Sequence, residues 1–173
     1  PGPAATLDSV LAAPHHKRKV SCMNIVITGA TGAIGSALAR LLHARGETLL
    51  LCGRSDDKLA ALNQALGGAH HTLAADLTGA EGGAALQASA AQIGVIGGLA
   101  HCVGSTVVRP LHLTSERDWS EQLAINATSA FHVLKWFVLQ ATKAQAPAIA
   151  VLTSSVVAEA GFANHEAIAA AKC

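Results

Sequence analysis

The sequence predicts a doubly wound α/β fold, about five parallel strands with helices on both faces of the sheet. Three observations predict it. Of the 173 residues, 51% are hydrophobic and only 13% charged, enough apolar surface for one compact core and too much for disorder. From Asn24 onward, short runs of leucine or β-branched residues alternate with helical patterns, the order of βαβ units. The first of those runs enters a glycine-rich turn and then a helix.

Residues 1–22 begin without methionine, place Pro1 and Pro3 ahead of any periodic pattern and end in the basic cluster Lys17, Arg18 and Lys19. They read as a flexible leader, and the domain is expected over residues 23–173. Strands are expected from Asn24 to Thr28, Thr48 to Cys52, His71 to Ala75, Leu99 to Val103 and Ala148 to Thr153. The helix from Ala33 to Ala44 aligns Leu38, Leu41 and Leu42 and stops at Gly46. A second, Asp57 to Leu66, opens on acidic residues and closes before Gly67 and Gly68. The alanine-rich stretch from Gly79 to Ala91 suits a surface helix packed closely on a sheet. A long helical pattern runs from Ser115 to Ala144, with Ser115 as N-cap and Asp118 placed to reciprocate. Pro147 forces an extended entry into the last strand.

Several function classes fall away on composition. Twelve Lys+Arg against eleven Asp+Glu, with 3% aromatic residues, supply neither a basic field nor stacking rings, so no nucleic-acid partner is expected. No run of about eighteen uninterrupted apolar residues exists, so no membrane partner is expected either. Cys22, Cys52, Cys102 and Cys173 form no CxxC pair, and nine histidines show no metal-ligand spacing, so a reducing, cytoplasmic setting and no metal are expected. The chain contains no tyrosine.

Asn24 to Gly35 reads as a buried strand, a turn with Gly29, Gly32 and Gly35, and a helix start. Glycine lets a diphosphate approach the backbone, and free N–H groups at a helix N-terminus stabilise its oxygens, so the turn is expected to bind a dinucleotide. Thr28 to Gly35, TGATGAIG, resembles the nucleotide motif of the short-chain dehydrogenase/reductase family, whose fold is the Rossmann-like doubly wound sheet. Its spacing matches the TGxxGxxG form of extended and atypical members, because Ala33 stands where the commonest form has glycine.

The resemblance extends over nearly the whole chain. It implies that Gly29, Thr31, Gly32, Ile34 and Gly35 bind the cofactor. Arg54 follows the second strand where NAD-preferring members carry an acid; a guanidinium there can pair with a 2′-phosphate, which favours NADP(H) over NAD(H), the alternative being a solvated loop cation. Asp76 and Leu77 resemble the adenine-contacting pair. His101-Cys102-Val103-Gly104 stands in place of the NNAG motif with only Gly104 retained, and His101 reads as a satisfied interior histidine. The implied activity is hydride transfer between nicotinamide and a carbonyl or alcohol substrate. Asn126 then matches the helix asparagine that bends its helix and holds a relay water, Ser155 the serine that bonds the substrate oxygen, and Lys172 the lysine that binds the nicotinamide ribose and lowers the pKa of a neighbouring tyrosine.

That tyrosine is replaced. Both the spacing from Ser155 and the spacing to Lys172 converge on Ile168, which carries no proton. His165 is one substitute donor, provided the helix has begun there; otherwise it caps the helix start beside Asn164. The chain stops at Cys173, whereas family members continue with further strands, so it looks like a fragment whose fifth strand is an unprotected edge, and a homo-oligomer is expected only at full length. Two readings follow: an NADP(H)-dependent oxidoreductase with an unconventional proton source, or a non-catalytic NADP(H)-binding sensor.

Overall fold

The computed structural model describes residues 22–172. The expected leader therefore lies outside the described residues except for Cys22. Five strands, β1 (Asn24–Thr28), β2 (Thr48–Gly53), β3 (His71–Ala74), β4 (Ile96–His101) and β5 (Ile149–Leu152), form one sheet in the order β3-β2-β1-β4-β5. Every pairing is parallel. The helices are α1 (Ala33–Ala44), α2 (Asp56–Ala65), α3 (Ala80–Ala91), α4 (Glu116–Leu123), α5 (Ser129–Ala144) and α6 (Glu166–Lys172). The predicted doubly wound sheet is the one observed.

Strand alternation divides the core in two. Val26, Leu50, Cys52 and Leu99 face Leu86 of α3 and Val133, Trp136 and Phe137 of α5. Their neighbours Ile27, Leu49, Leu51 and Ala100 face Ala39 of α1 and Leu59 and Leu62 of α2. Successive strand residues point to opposite faces, so a central strand covered on both sides is buried throughout, as β4 is, and its one polar side chain, His101, must find its partners inside. In the edge strand β5, Ile149, Val151 and Leu152 are exposed.

Two expectations change. The fourth strand starts at Ile96 and ends at His101, where Leu99 to Val103 is the expected span. Gly97 and Gly98 are strand residues because Met23 and Ile25 fill the space beside them: a Cβ on Gly97 would lie 2.8 Å from Met23 Cγ, and one on Gly98 would lie 3.0 Å from Ile25 Cγ1. The long pattern from Ser115 to Ala144 is interrupted by a π-helical turn at Ala124–Thr128. At its start the expected capping box forms, Ser115 Oγ accepting from the Asp118 amide at 3.1 Å while the Asp118 carboxylate accepts from the Ser115 amide.

Candidate functional site: a glycine-floored crevice

The chain runs outward in both directions from β1 and β4, and the crevice beyond their C-terminal ends is where open α/β sheets place ligands. A cavity of about 460 Å³ occupies it. Gly29, Thr31 and Gly32 line its floor; Arg54 and Lys58 line one end with Asp76, Leu77 and Thr78; Cys102 to Ser105 and the α4–π-turn segment close the other.

The floor is built by backbone crowding. Gly29 adopts φ +68°, and a Cβ there would lie 2.7 Å from Cys102 O. A Cβ on Gly35 would lie 2.3 Å from Gly29 O, so α1 rests directly on the turn. Two backbone bonds lock the turn to its neighbours, Ala30 N–H to Cys52 O at 2.9 Å and Cys102 N–H to Thr28 O at 3.0 Å. Gly32 caps α1 without a side-chain bond, and the first turn holds no acidic residue. The amides there retain their capacity for an anion, so these residues fit a diphosphate.

At the basic end, Asp76 accepts the Thr78 amide at 2.9 Å and the Thr78 hydroxyl at 2.8 Å. Those bonds, and then the Arg54 charge, hold its carboxyl below the usual carboxylate range. Lys58 carries no motif of its own in the sequence that marks it as a site residue. Its signal is Ser55, which caps α2 by accepting the Lys58 amide and so places Lys58 one turn on from Arg54.

Seven predicted cofactor residues, Gly29, Thr31, Gly32, Arg54, Asp76, Leu77 and Gly104, line the cavity. Gly35 lies beneath it. The Ile34 side chain is 58% exposed and is not among the lining residues, because the first turn of α1 directs it outward; only its amide is available to a ligand. Asn126 and Lys172 meet behind the wall at Gly104, where a Cβ would lie 3.1 Å from Asn126 Oδ1 and 3.4 Å from Lys172 Nζ. Lys172 Nζ donates to Thr153 O at 2.7 Å, and burial lowers its pKa from the ordinary lysine value.

Asn126 sits inside the π-helical turn, 3% exposed. Its amide group is committed: Nδ2 donates to Ser105 O and Gln122 O, both at 3.0 Å, and Oδ1 accepts from the Ser105 amide at 3.2 Å. Gln122 and Ser105 are further residues the sequence did not disclose, joined by Gln122 Nε2 to Ser105 Oγ at 3.2 Å. Ser155 Oγ accepts from the Val157 amide at 3.5 Å as the cap of a short 3₁₀ turn, and does not line the cavity.

Ile168 is 4% exposed on α6, which packs on α4 and the π-helical turn. The helical premise for His165 fails. Asn164 takes φ +66°, α6 begins only at Glu166, and His165 Nδ1 lies 2.8 Å from Ala163 O.

His101 is interior, as expected. Nδ1 lies 2.8 Å from Thr28 Oγ1 and Nε2 lies 3.2 Å from Ser129 Oγ, whose own proton goes to Ile125 O at 2.5 Å. That assigns the proton to Nε2 and leaves Nδ1 to accept from Thr28. Burial, and then the Lys172 charge, bring its pKa down to about 4. A histidine depressed on folding binds more protons when unfolded, so its stabilisation is complete above about pH 6.5 and is lost as the pH falls through about 4. Urea denaturation of the unaltered protein is expected to lose about 3 kcal/mol from this residue across that window. His101→Asn is expected to flatten that slope.

The fold, the glycine turn and the crevice are those of a Rossmann-like α/β protein, and the family model for short chain dehydrogenases matches residues 23–173. The chain belongs to that family, whose members bind NAD(P). Among its relatives, it is 32% identical over 111 residues to Nodulation protein G of Rhizobium sp. (strain N33), covering 64% of this chain and 45% of that protein. It is 30% identical over 148 residues to the 3-oxoacyl-(acyl-carrier-protein) reductase FabG of Vibrio harveyi, covering 85% and 60%. A short-chain dehydrogenase from Streptomyces avermitilis superposes with a TM-score of 0.82 at 24% identity over 88% of this chain and 56% of that one. One from Mycobacterium smegmatis gives 0.83 at 20% identity, over 87% and 64%. These two likenesses show the fold. The chain spans about half the length of the curated relatives it matches.

Proposed function

We propose that the crevice binds NADP(H), and that in a protein of the relatives' length it serves an oxidoreductase moving hydride between nicotinamide and a carbonyl or alcohol carbon. The observation that carries the reading is the glycine floor with its uncapped α1 terminus and a basic end formed by Arg54 and Lys58. The amides of Thr31 and of Ala33 to Gly35 would hold the diphosphate, the Gly32 amide being held by Gly29 O within the turn, with Asp76 and Leu77 at the adenine, Arg54 and Lys58 at the 2′-phosphate, and Gly104 and Lys172 at the nicotinamide ribose. The bound coenzyme supplies the hydride donor or acceptor. In the reducing direction the carbonyl carbon gains the hydride and its oxygen must gain a proton. Ser155 would orient that oxygen, and Asn126 would hold the wall in register through Ser105.

Ile168 donates nothing, and His165 is turned to its own loop, so the proton comes from water and turnover is lower than with a positioned acid by a factor of about 10² to 10⁴. The absence of a proton donor at Ile168 favours a second reading, a sensor that binds NADP(H) without consuming it. A cytoplasmic location, a small-molecule substrate and pairing of two copies through the exposed Phe131, Val138 and Leu139 of α5 complete the proposal.

Coenzyme preference tests the basic end. Arg54→Glu is expected to weaken NADPH binding about a hundredfold while leaving NADH binding within a few-fold, because it replaces an ion pair with repulsion. Equal losses for both coenzymes contradict the assignment. An aldehyde and ketone panel on a protein of the relatives' length separates the two readings: slow NADPH consumption supports the oxidoreductase, binding without consumption the sensor.

A further inference from the structure

The His101 side chain stands between the two walls of the crevice and touches both. On one side it accepts from Thr28, the residue immediately before Gly29 of the floor. On the other it donates to Ser129, whose hydroxyl in turn holds Ile125 O, and both Ser129 and Ile125 line the cavity. The π-helical turn makes this reach productive: the Ser129 amide bonds Ala124 O, five residues back, while its hydroxyl holds Ile125 O. Thr28, His101 and Ser129 are all nearly or fully buried, so water cannot replace either bond. A buried donor or acceptor that loses its partner carries its full desolvation cost unless the surrounding structure shifts to supply another, which gives the wall a reason to move.

We infer that His101 is a positioning residue for the dinucleotide, a strut whose two bonds set the distance between the glycine floor and the π-turn wall. The inference rests on the reading of the crevice as a coenzyme site. His101 touches no ligand itself; it acts through Thr28 and Ser129. Removing either end of the second bond leaves the floor in place but releases the wall, so His101→Asn, whose shorter side chain is expected to keep only the Thr28 bond, and Ser129→Ala both break it, the second also freeing Ile125 O. His101→Gln keeps one acceptor and one donor on a longer arm.

The test is a coupling measurement at pH 7.5 on the full chain, reading NADPH affinity by fluorescence titration beside urea stability without ligand. His101→Asn and Ser129→Ala are each expected to weaken NADPH about tenfold. The double variant is expected to be no weaker than the poorer single, and His101→Gln to recover most of the loss. Additive losses, or losses that track ligand-free stability across all four variants, overturn the strut while leaving the coenzyme site intact. If the unaltered chain binds no dinucleotide, both the strut and the site fall. Should His101→Asn be too unstable to titrate, Ser129→Ala and Ser129→Thr decide alone: the first is expected to lose affinity and the second, which keeps the hydroxyl, to retain it.

Discussion

Ile168→Tyr is expected to raise NADPH-dependent carbonyl reduction by a factor of about 10² to 10⁴ in a protein of the relatives' length. Ile168 and Lys172 lie one turn apart on α6, so a phenol at the first position stands beside the ammonium of the second. That cation lowers the phenol's pKa from its free value near 10 and makes it a usable acid. Reduction needs the phenol protonated, so the gained rate is expected to fall as the pH rises through its lowered pKa, a limb the unaltered protein lacks. The site is buried, so the larger ring costs about 1–3 kcal/mol of stability, which urea denaturation reads independently. No gain with any carbonyl, in a variant that still binds NADPH, decides for the sensor.

Gly35→Ala is expected to abolish measurable dinucleotide binding. The added methyl would lie 2.3 Å from Gly29 O and 2.8 Å from Ala30 Cα, both backbone atoms that cannot swing aside. The only relief is to lift α1 from the turn, which carries the first-turn amides away from the floor and destabilises the fold by about 1–3 kcal/mol. Gly83→Ala is the control. Its methyl would meet nothing closer than His132 Cβ at 4.0 Å, and in the interior of α3 it is expected to stabilise by about 0.5–1 kcal/mol. Comparable behaviour of the two variants would mean that the crowding beneath the turn does not hold the floor.

Local patterning made most of the fold legible, because a doubly wound sheet is assembled from units that each announce themselves. The run from Asn24 to Gly35 shows strand, turn and helix within a dozen residues, and the structure places them so. Where partners distant in sequence decide the outcome, the pattern misleads. Gly97 and Gly98 look unlike strand residues, and only Met23 and Ile25, more than seventy positions earlier, make them the right residues. The π-helical turn leaves no periodic trace, since one extra residue in a helix shifts the apolar stripe too little to read. Asn126 was the visible clue there, a poor helix former in the middle of a helix.

Residues contributed directly by the turns were legible at the site, whereas those that act through a neighbour were not. Gly29, Arg54 and Asp76 each follow a strand and line the cavity. Gln122 and Ser129 matter through hydrogen bonds to Asn126 and His101, and a pair bonded across elements has no signature in a single sequence. The family resemblance expects Ser155, Lys172 and Asn126 to act together; the geometry brings Asn126 and Lys172 together at Gly104 and engages Ser155 in its own 3₁₀ turn.

Calorimetric titration of NADPH into the unaltered chain tests the coenzyme site most directly. One site per chain is expected, with NADPH bound at least about tenfold more tightly than NADH, the discrimination of a charge-assisted contact between the 2′-phosphate and the exposed Arg54. No heat with either coenzyme, at a pH where the fold is intact, contradicts it.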